Sequence, residues 1–219
     1  MEAIERYITS NDLLTIIILL VLLLLVLAKQ LFYNRYEDFT ALLASGKFLV
    51  IKSREHKLLF GFNLIMLIVH VLSVSLFVFL SFRLFTDLTL VHPGYFLLRI
   101  ITAYAFFVLL KITVEKIIAN VFDIDDVIDT YIFQKQTYLN FISLIIFGLS
   151  IFLVYSELPR LPLFYLIIGV AILAISYTLY VIVKKNTVVM SRYWFYFILY
   201  ICALEFAPYI ILYKLITRY

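Results

Sequence analysis

The chain has one cysteine in 219 residues, four prolines and five glycines, and only 15% of it is charged. A lone cysteine, Cys202, excludes an intrachain disulfide framework and leaves the redox compartment unread. Few glycines and prolines argue against long disordered linkers. No G-x-S-x-G, H-E-x-x-H, P-loop or paired-cysteine motif occurs, so the common hydrolase, zinc-protease and nucleotide-binding signatures are missing. No cofactor is implied. A net charge of +4 is all that would support nucleic-acid binding, and a basic face against anionic lipid explains it more simply. The second residue is Glu2 rather than the glycine that myristoylation needs, and no cysteine lies near the C-terminus. The opening MEAIERYITSND lacks a positively charged leader, and no small-residue cleavage site follows the first apolar run. That run is therefore expected to be a retained helix.

What is present is apolar sequence in long runs. Hydrophobic residues make up 65% of the chain and the mean hydropathy is +1.09, against roughly 45–50% apolar for a soluble domain. A membrane span needs about 20 apolar residues. Six stretches qualify: about Leu13 to Leu31, Leu58 to Phe82, Tyr95 to Ala119, Tyr138 to Tyr155, Leu161 to Val183 and Trp194 to Ile216. The fourth and fifth are divided by SELPRLP, a turn with two prolines. The reading is an all-α membrane protein, a single integral domain over residues 1–219 built as a bundle of six transmembrane helices.

Basic residues set the expected orientation. Eleven lysines and arginines fall in or beside the connections one-to-two, three-to-four and five-to-six, against six on the opposite side. The positive-inside rule puts the richer side in the cytoplasm and both termini outside, in the periplasm. Lys116 and Lys135 are counted here with the third connection. Two cytoplasmic stretches look like short interfacial amphipathic segments. One is YEDFTALLASGKFLV from Tyr36. The other is FDIDDVIDTYIF, a surface helix or an extension of span three, with Ile124, Val127, Ile128, Tyr131 and Ile132 on one face.

Ionisable residues inside spans are candidates for function. At 1.5 Å per residue, Glu205 lies roughly 16 Å from the cytoplasmic end of span six, Lys111 roughly 12 Å in and His70 roughly 18 Å in. Three groups from three spans share a central layer, and a Lys111–Glu205 pair is geometrically plausible. Glu115 competes, since it stands at i+4 from Lys111 on the same helix. A buried Glu–Lys pair that only fixes helix packing is the simpler account of the charges, ahead of a site for an ion, a proton or a small solute and of a surface recognised by another membrane subunit. Pro208 removes the hydrogen bond to the Leu204 carbonyl and kinks span six beside Glu205, which is how some transporters build a midplane site. Asp125, Asp126 and Asp129 have the D-D-x-x-D spacing that holds Mg²⁺ against a diphosphate. The second acidic motif such enzymes need is missing, so a solvated helix face is the simpler reading.

Near the C-terminus, Leu199, Tyr200, Cys202, Leu204, Glu205 and Pro208, followed by Lys214, form an L-Y-x-C-x-L-E-x-x-P pattern. This pattern resembles the end of a family of uncharacterised membrane proteins from Bacteroidota, grouped under a domain of unknown function. The layout from about Phe32 onward is similar too. The resemblance implies a bacterial inner membrane and supplies no activity. The functional expectation is a non-enzymatic subunit of an envelope complex, secretion machinery being one version, with the lipid bilayer and other membrane subunits as partners. The alternatives are a small transporter or proton-coupled component using Glu205, Lys111 and His70, and a lipid-modifying enzyme using the aspartates.

Overall fold

In a computed structural model, described over residues 12–40, 56–85, 93–121, 125–156 and 159–185, the chain is helical throughout. Side chains at 56–60, 125–128, 130, 182–183 and 185 are not described within these ranges. The helices are α1 (Asp12–Leu31), α2 (Tyr33–Thr40), α3 (His56–Phe85), α4 (Pro93–Val121), α5 (Asp125–Tyr155) and α6 (Arg160–Lys185). All but α2 contain a stretch long and apolar enough to cross a membrane. These five stand where the first five spans are read from the sequence. The sixth, Trp194 to Ile216, lies outside the described residues.

Local chemistry sets the ends. Asp12 sits in the first turn of α1 and Lys29 in its last, each matched to the sign of the helix dipole. Pro93 opens α4, where its missing N–H costs nothing. The SELPRLP turn falls as expected: α5 stops at Tyr155 and α6 begins at Arg160. One boundary differs. Residues from Asp125 run without a break into the fourth span, so the stretch from Asp125 to Phe133 belongs to α5 rather than to a separate surface helix or to span three. The polar residues Gln134, Lys135 and Gln136 depress hydropathy there without interrupting the helix.

Successive long helices run in alternate directions. The ends of α1, α4 and α6 meet the starts of α3 and α5 at one end of the bundle, around Ala28, Phe62, Met66, Ala119, Tyr131 and Val181. The connections one-to-two, three-to-four and five-to-six therefore all leave from that end. Helices α3 and α5 form the inner pair; α1 flanks α3, α6 flanks α5, and α4 lies against both inner helices. The inner pair is about half buried over its apolar stretch, 56% and 50%, whereas α4 is 6% buried. On α1 a single stripe at helical spacing, Leu14, Ile18, Val21 and Ala28, faces the bundle, while Ile16, Leu19, Leu23 and Val26 are exposed. That is the surface an outer helix presents to lipid. Lipid tails are as apolar as leucine, so packing rather than burial from water holds such helices together.

Helix α2 turns off α1 at Phe32 without losing the backbone ladder, since Phe32 N–H donates to Ala28 O and Tyr36 N–H to Phe32 O. The Phe32 ring seats directly on Gly61 of α3. A Cβ built there would lie 2.8 Å from its Cζ, so only glycine admits the ring. Phe39 of α2, 1% exposed, meets Phe62 of α3 and Phe141 of α5 with ring centroids 6.0 and 5.9 Å away. On the outer side of α2 the Tyr33 hydroxyl donates to Glu37 Oε1 at 2.5 Å, and that hydrogen bond holds the Tyr33 phenol above its ordinary pKa. Of the expected interfacial stretch from Tyr36 to Val50, residues beyond Thr40 lie outside the described ones.

Candidate functional site: a polar seam between three helices

Helix α4 carries Tyr104, Lys111 and Glu115 on one face at helical spacing, and α5 carries Lys135, Gln136 and Leu139 on the face turned toward it. The two helices run antiparallel, so their stripes meet in a seam that α3 closes with His70. Between them lies a cavity of about 150 Å³ lined by these side chains, with Phe107, Val108, Ile112 and Ile132 as apolar wall. A drug-sized ligand takes about 300–1,000 Å³. At about 30 Å³ per water this space suits about five waters or a small ion.

Glu115 is 1% exposed, and Lys135 donates to its Oε1 at 2.6 Å from a side chain 12% exposed. Removing two charges from water is costly, and a short, well-formed contact offsets that cost only when each charge keeps its partner. Lys135 also sits 5.5 Å over the Tyr131 ring one turn back on its own helix, which steadies the ammonium from the other side. In the sequence Lys135 counts among the loop cations. The extension of α5 places it inside the bundle, where it is the partner of Glu115.

Deeper in the seam, His70 ties three helices together. Its Nδ1 lies 3.3 Å from the Leu139 carbonyl of α5 and its Nε2 2.9 Å from the Tyr104 hydroxyl of α4. A carbonyl only accepts, so Nδ1 carries the proton. Neutral imidazole then has only an acceptor at Nε2, and Tyr104 donates to it. Tyr104 and Glu115 stand eleven residues apart on α4, roughly 16 Å along the helix. The His70–Tyr104 contact and the Glu115–Lys135 pair thus lie at different depths along the seam.

The seam brings His70, Lys111 and Glu115 together on one cavity, as three of the sequence candidates. Tyr104, Lys135 and Gln136 join them unanticipated. The signal was present as a few polar residues on two otherwise apolar helices, Tyr104, Lys111 and Glu115 at spacings of seven and four on one and the adjacent Lys135 and Gln136 on the other. Glu205 and the kink residue Pro208 lie outside the described residues. So do the side chains of Asp125 and Asp126. Asp129 is described: its Oδ1 lies 3.9 Å from Lys116 Nζ, both side chains being more than half exposed. Among the described residues no group of three or more His, Cys, Asp or Glu could hold a metal, which leaves the full aspartate triad untested.

Five long apolar helices around an internal polar seam define a membrane-embedded helical protein. The chain belongs to the family described as domain of unknown function DUF4271, whose model matches residues 14–216. The match begins within α1, so the family unit includes the first span and is wider than the stretch from Phe32. No curated protein matches the chain, and no solved structure does.

Proposed function

We propose that the chain is a polytopic protein of a bacterial inner membrane that handles a small polar species, a proton or small ion, in the seam between α3, α4 and α5. The observation that carries this reading is the cavity itself. A glutamate and lysine that only pinned α4 to α5 would need no adjoining space. Here the pair borders about 150 Å³ shared with a second lysine, a histidine and a tyrosine. Ionisable groups at membrane depth are expensive and tend to mark pathways. The cavity is too small for a lipid or a drug-sized solute. In this reading the end of the bundle that carries α2 faces the cytoplasm, as the basic residues argue, and the termini are periplasmic. The test is proton flux into liposomes holding the purified protein, driven by a potassium gradient with valinomycin and read with an internal pH dye. Flux is expected with the wild-type protein, and a marked loss with Glu115→Gln. Equal flux from the variant, or none from the wild type, would sink the reading.

A second reading keeps the protein as a non-enzymatic subunit of an envelope complex. It is favoured by the outer helices: α4 is 6% and α6 17% buried over the apolar stretch, which leaves broad apolar faces for other membrane subunits as well as for lipid. Mild extraction from native membrane, followed by mass spectrometry, separates the two. A protein that runs alone with lipid only removes the subunit reading.

A further inference from the structure

Polarity along the α4–α5 seam falls in steps from one end of the bundle to its middle. Lys116 and Asp129 are more than half exposed, Lys135 is 12% and its partner Glu115 1% exposed, and His70 is 5% exposed. Beyond His70 the core is mainly apolar, with Leu72, Leu76, Phe79, Ile142 and Ile146, and carries no charge, its buried polar groups being serine hydroxyls such as Ser73, Ser75 and Ser150. The seam spans roughly 16 Å from Glu115 to Tyr104, about half of a hydrocarbon core about 30 Å thick. Among the described residues the polar file enters from one face and stops halfway against an uncharged plug, which is not the shape of a through-channel.

We propose that this seam is a one-sided, water-filled well that delivers protons to His70. The proposal rests on the functional reading above and names its ligand. The hydrogen bonds define the terminal step. Nδ1 is committed to the Leu139 carbonyl, so a proton can be added only at Nε2, where Tyr104 already donates. Tyr104 passes its hydroxyl proton to Nε2, breaking one O–H bond and forming one N–H bond. Its oxygen takes a proton from a hydronium in the cavity, which is left as water. The net change is one proton taken up and one positive charge on the imidazole, with Tyr104 restored. The Tyr104 oxygen then accepts from Nε2–H, and its own hydrogen swings from the histidine toward the cavity. The ionisable groups that line the cavity with His70 are Tyr104, Lys111 and Glu115 of α4 and Lys135 of α5; among the described residues α1 and α6 add none. Glu115 offsets the new charge while the two lysines oppose it, so the well responds to the state of the Glu115–Lys135 pair.

Cysteine accessibility tests the well in the intact protein. In a Cys202→Ala background, Val108→Cys and Ile112→Cys line the cavity, and Leu76→Cys and Ile146→Cys lie in the uncharged plug. The probe is a charged, membrane-impermeant methanethiosulfonate reagent applied to each side of oriented vesicles. Thiols react as thiolates, which form only in contact with water. Cavity cysteines are expected to react about tenfold or more faster than plug cysteines, and from one side only. Equal rates at all four positions, or labelling of the cavity from both sides, overturns the well. The proton acceptor has a separate readout. With His56→Gln and His92→Gln, nitrogen NMR of ¹⁵N-histidine reports His70 alone. The expected result is a neutral ring protonated at Nδ1, whose Nε2 exchanges protons with water and does so about tenfold more slowly in Tyr104→Phe. A ring protonated at Nε2, or exchange indifferent to Tyr104, overturns the relay. If the cavity labels from one side while Glu115→Gln leaves flux unchanged, the well stands and the transport reading falls. If flux depends on Glu115 but the cavity cysteines stay unlabelled, the well falls and the transport reading stands.

Discussion

Toward the α2 end of the bundle lie the cluster of Phe39, Phe62, Met66 and Tyr131 and the Glu115–Lys135 pair, with the His70–Tyr104 contact deeper in. Toward the other end, Leu14, Ile18 and Val21 of α1 meet Leu76, Phe79 and Leu80 of α3, Leu97 of α4 and Ile167 of α6. The same helices supply both ends. The difference lies in what satisfies the polar groups. In the polar half each of Glu115, Lys135 and His70 has a partner on another helix, so the interactions are tertiary and fix the helices in register. In the dry half the buried and part-buried hydroxyls that are bonded turn inward on their own helix, and a cross-helix contact is made by the exposed pair Thr15 and Tyr155 at 2.7 Å, between α1 and α5. Ser81 donates to Phe77 O and Ser150 to Ile146 O, while among the described residues the buried hydroxyls of Ser73 and Ser75 have no partner. One half is specified mainly by buried charged and imidazole pairings and the other mainly by shape.

That contrast can be broken most sharply at the ion pair. Glu115→Ala removes the carboxylate that Lys135 contacts at 2.6 Å in a buried site and should cost about 3–5 kcal/mol. The double change Glu115→Gln with Lys135→Met removes both charges and should recover most of that loss. Reversible unfolding in detergent micelles measures both. Equal losses from the single and the double change would show that the charges are not coupled.

The next largest effect is expected at the socket that fixes α2 over the polar half. Gly61→Ala puts a methyl group 2.8 Å from the Phe32 ring and should destabilise by about 1–3 kcal/mol through overpacking. Adding Phe32→Leu should relieve it. Gly148→Ala and Gly169→Ala meet nothing within 4 Å, so they should be neutral or stabilise by about 0.5–1 kcal/mol through helix propensity. Midpoints of thermal unfolding by circular dichroism rank the four.

Smaller shifts of opposite sign separate the halves again. Ser73→Ala and Ser75→Ala in the dry half remove hydroxyls that have no partner and should stabilise by about 0.5–1 kcal/mol each. Destabilisation by either would mean that the hydroxyl is satisfied in the membrane. At the mouth of the seam, Lys116→Ala should change stability by less than about 0.5 kcal/mol, since its 3.9 Å contact with Asp129 is exposed and such pairs contribute little.

Much of the fold was legible because hydropathy reports length. The 20-residue apolar run of α1 and the two-proline turn before α6 can be read without knowing any contact. The start of α5 could not, because Gln134, Lys135 and Gln136 interrupt the apolar run that hydropathy follows, while helical geometry continues through them. The site was legible by residue type and not by pairing. Glu115 and Lys111 draw attention at i,i+4, a spacing visible along one helix. The contact with Lys135 crosses to another helix and has no signature in spacing. Tyr104 is one of 17 tyrosines, and only its place opposite His70 sets it apart.

The Glu115–Lys135 contact joins residues 20 positions apart. During synthesis at about 5–20 residues per second, the lysine therefore follows the glutamate out of the ribosome within about 1–4 seconds. Helix α4 is a poor candidate for entering lipid alone, because it carries a buried carboxylate and shares little packing with its neighbours. The cation that neutralises that carboxylate arrives on the next helix. The α4–α5 hairpin, rather than either helix, is then the unit that the membrane receives, and an inserted loop that delayed α5 would strand α4 at the point of entry.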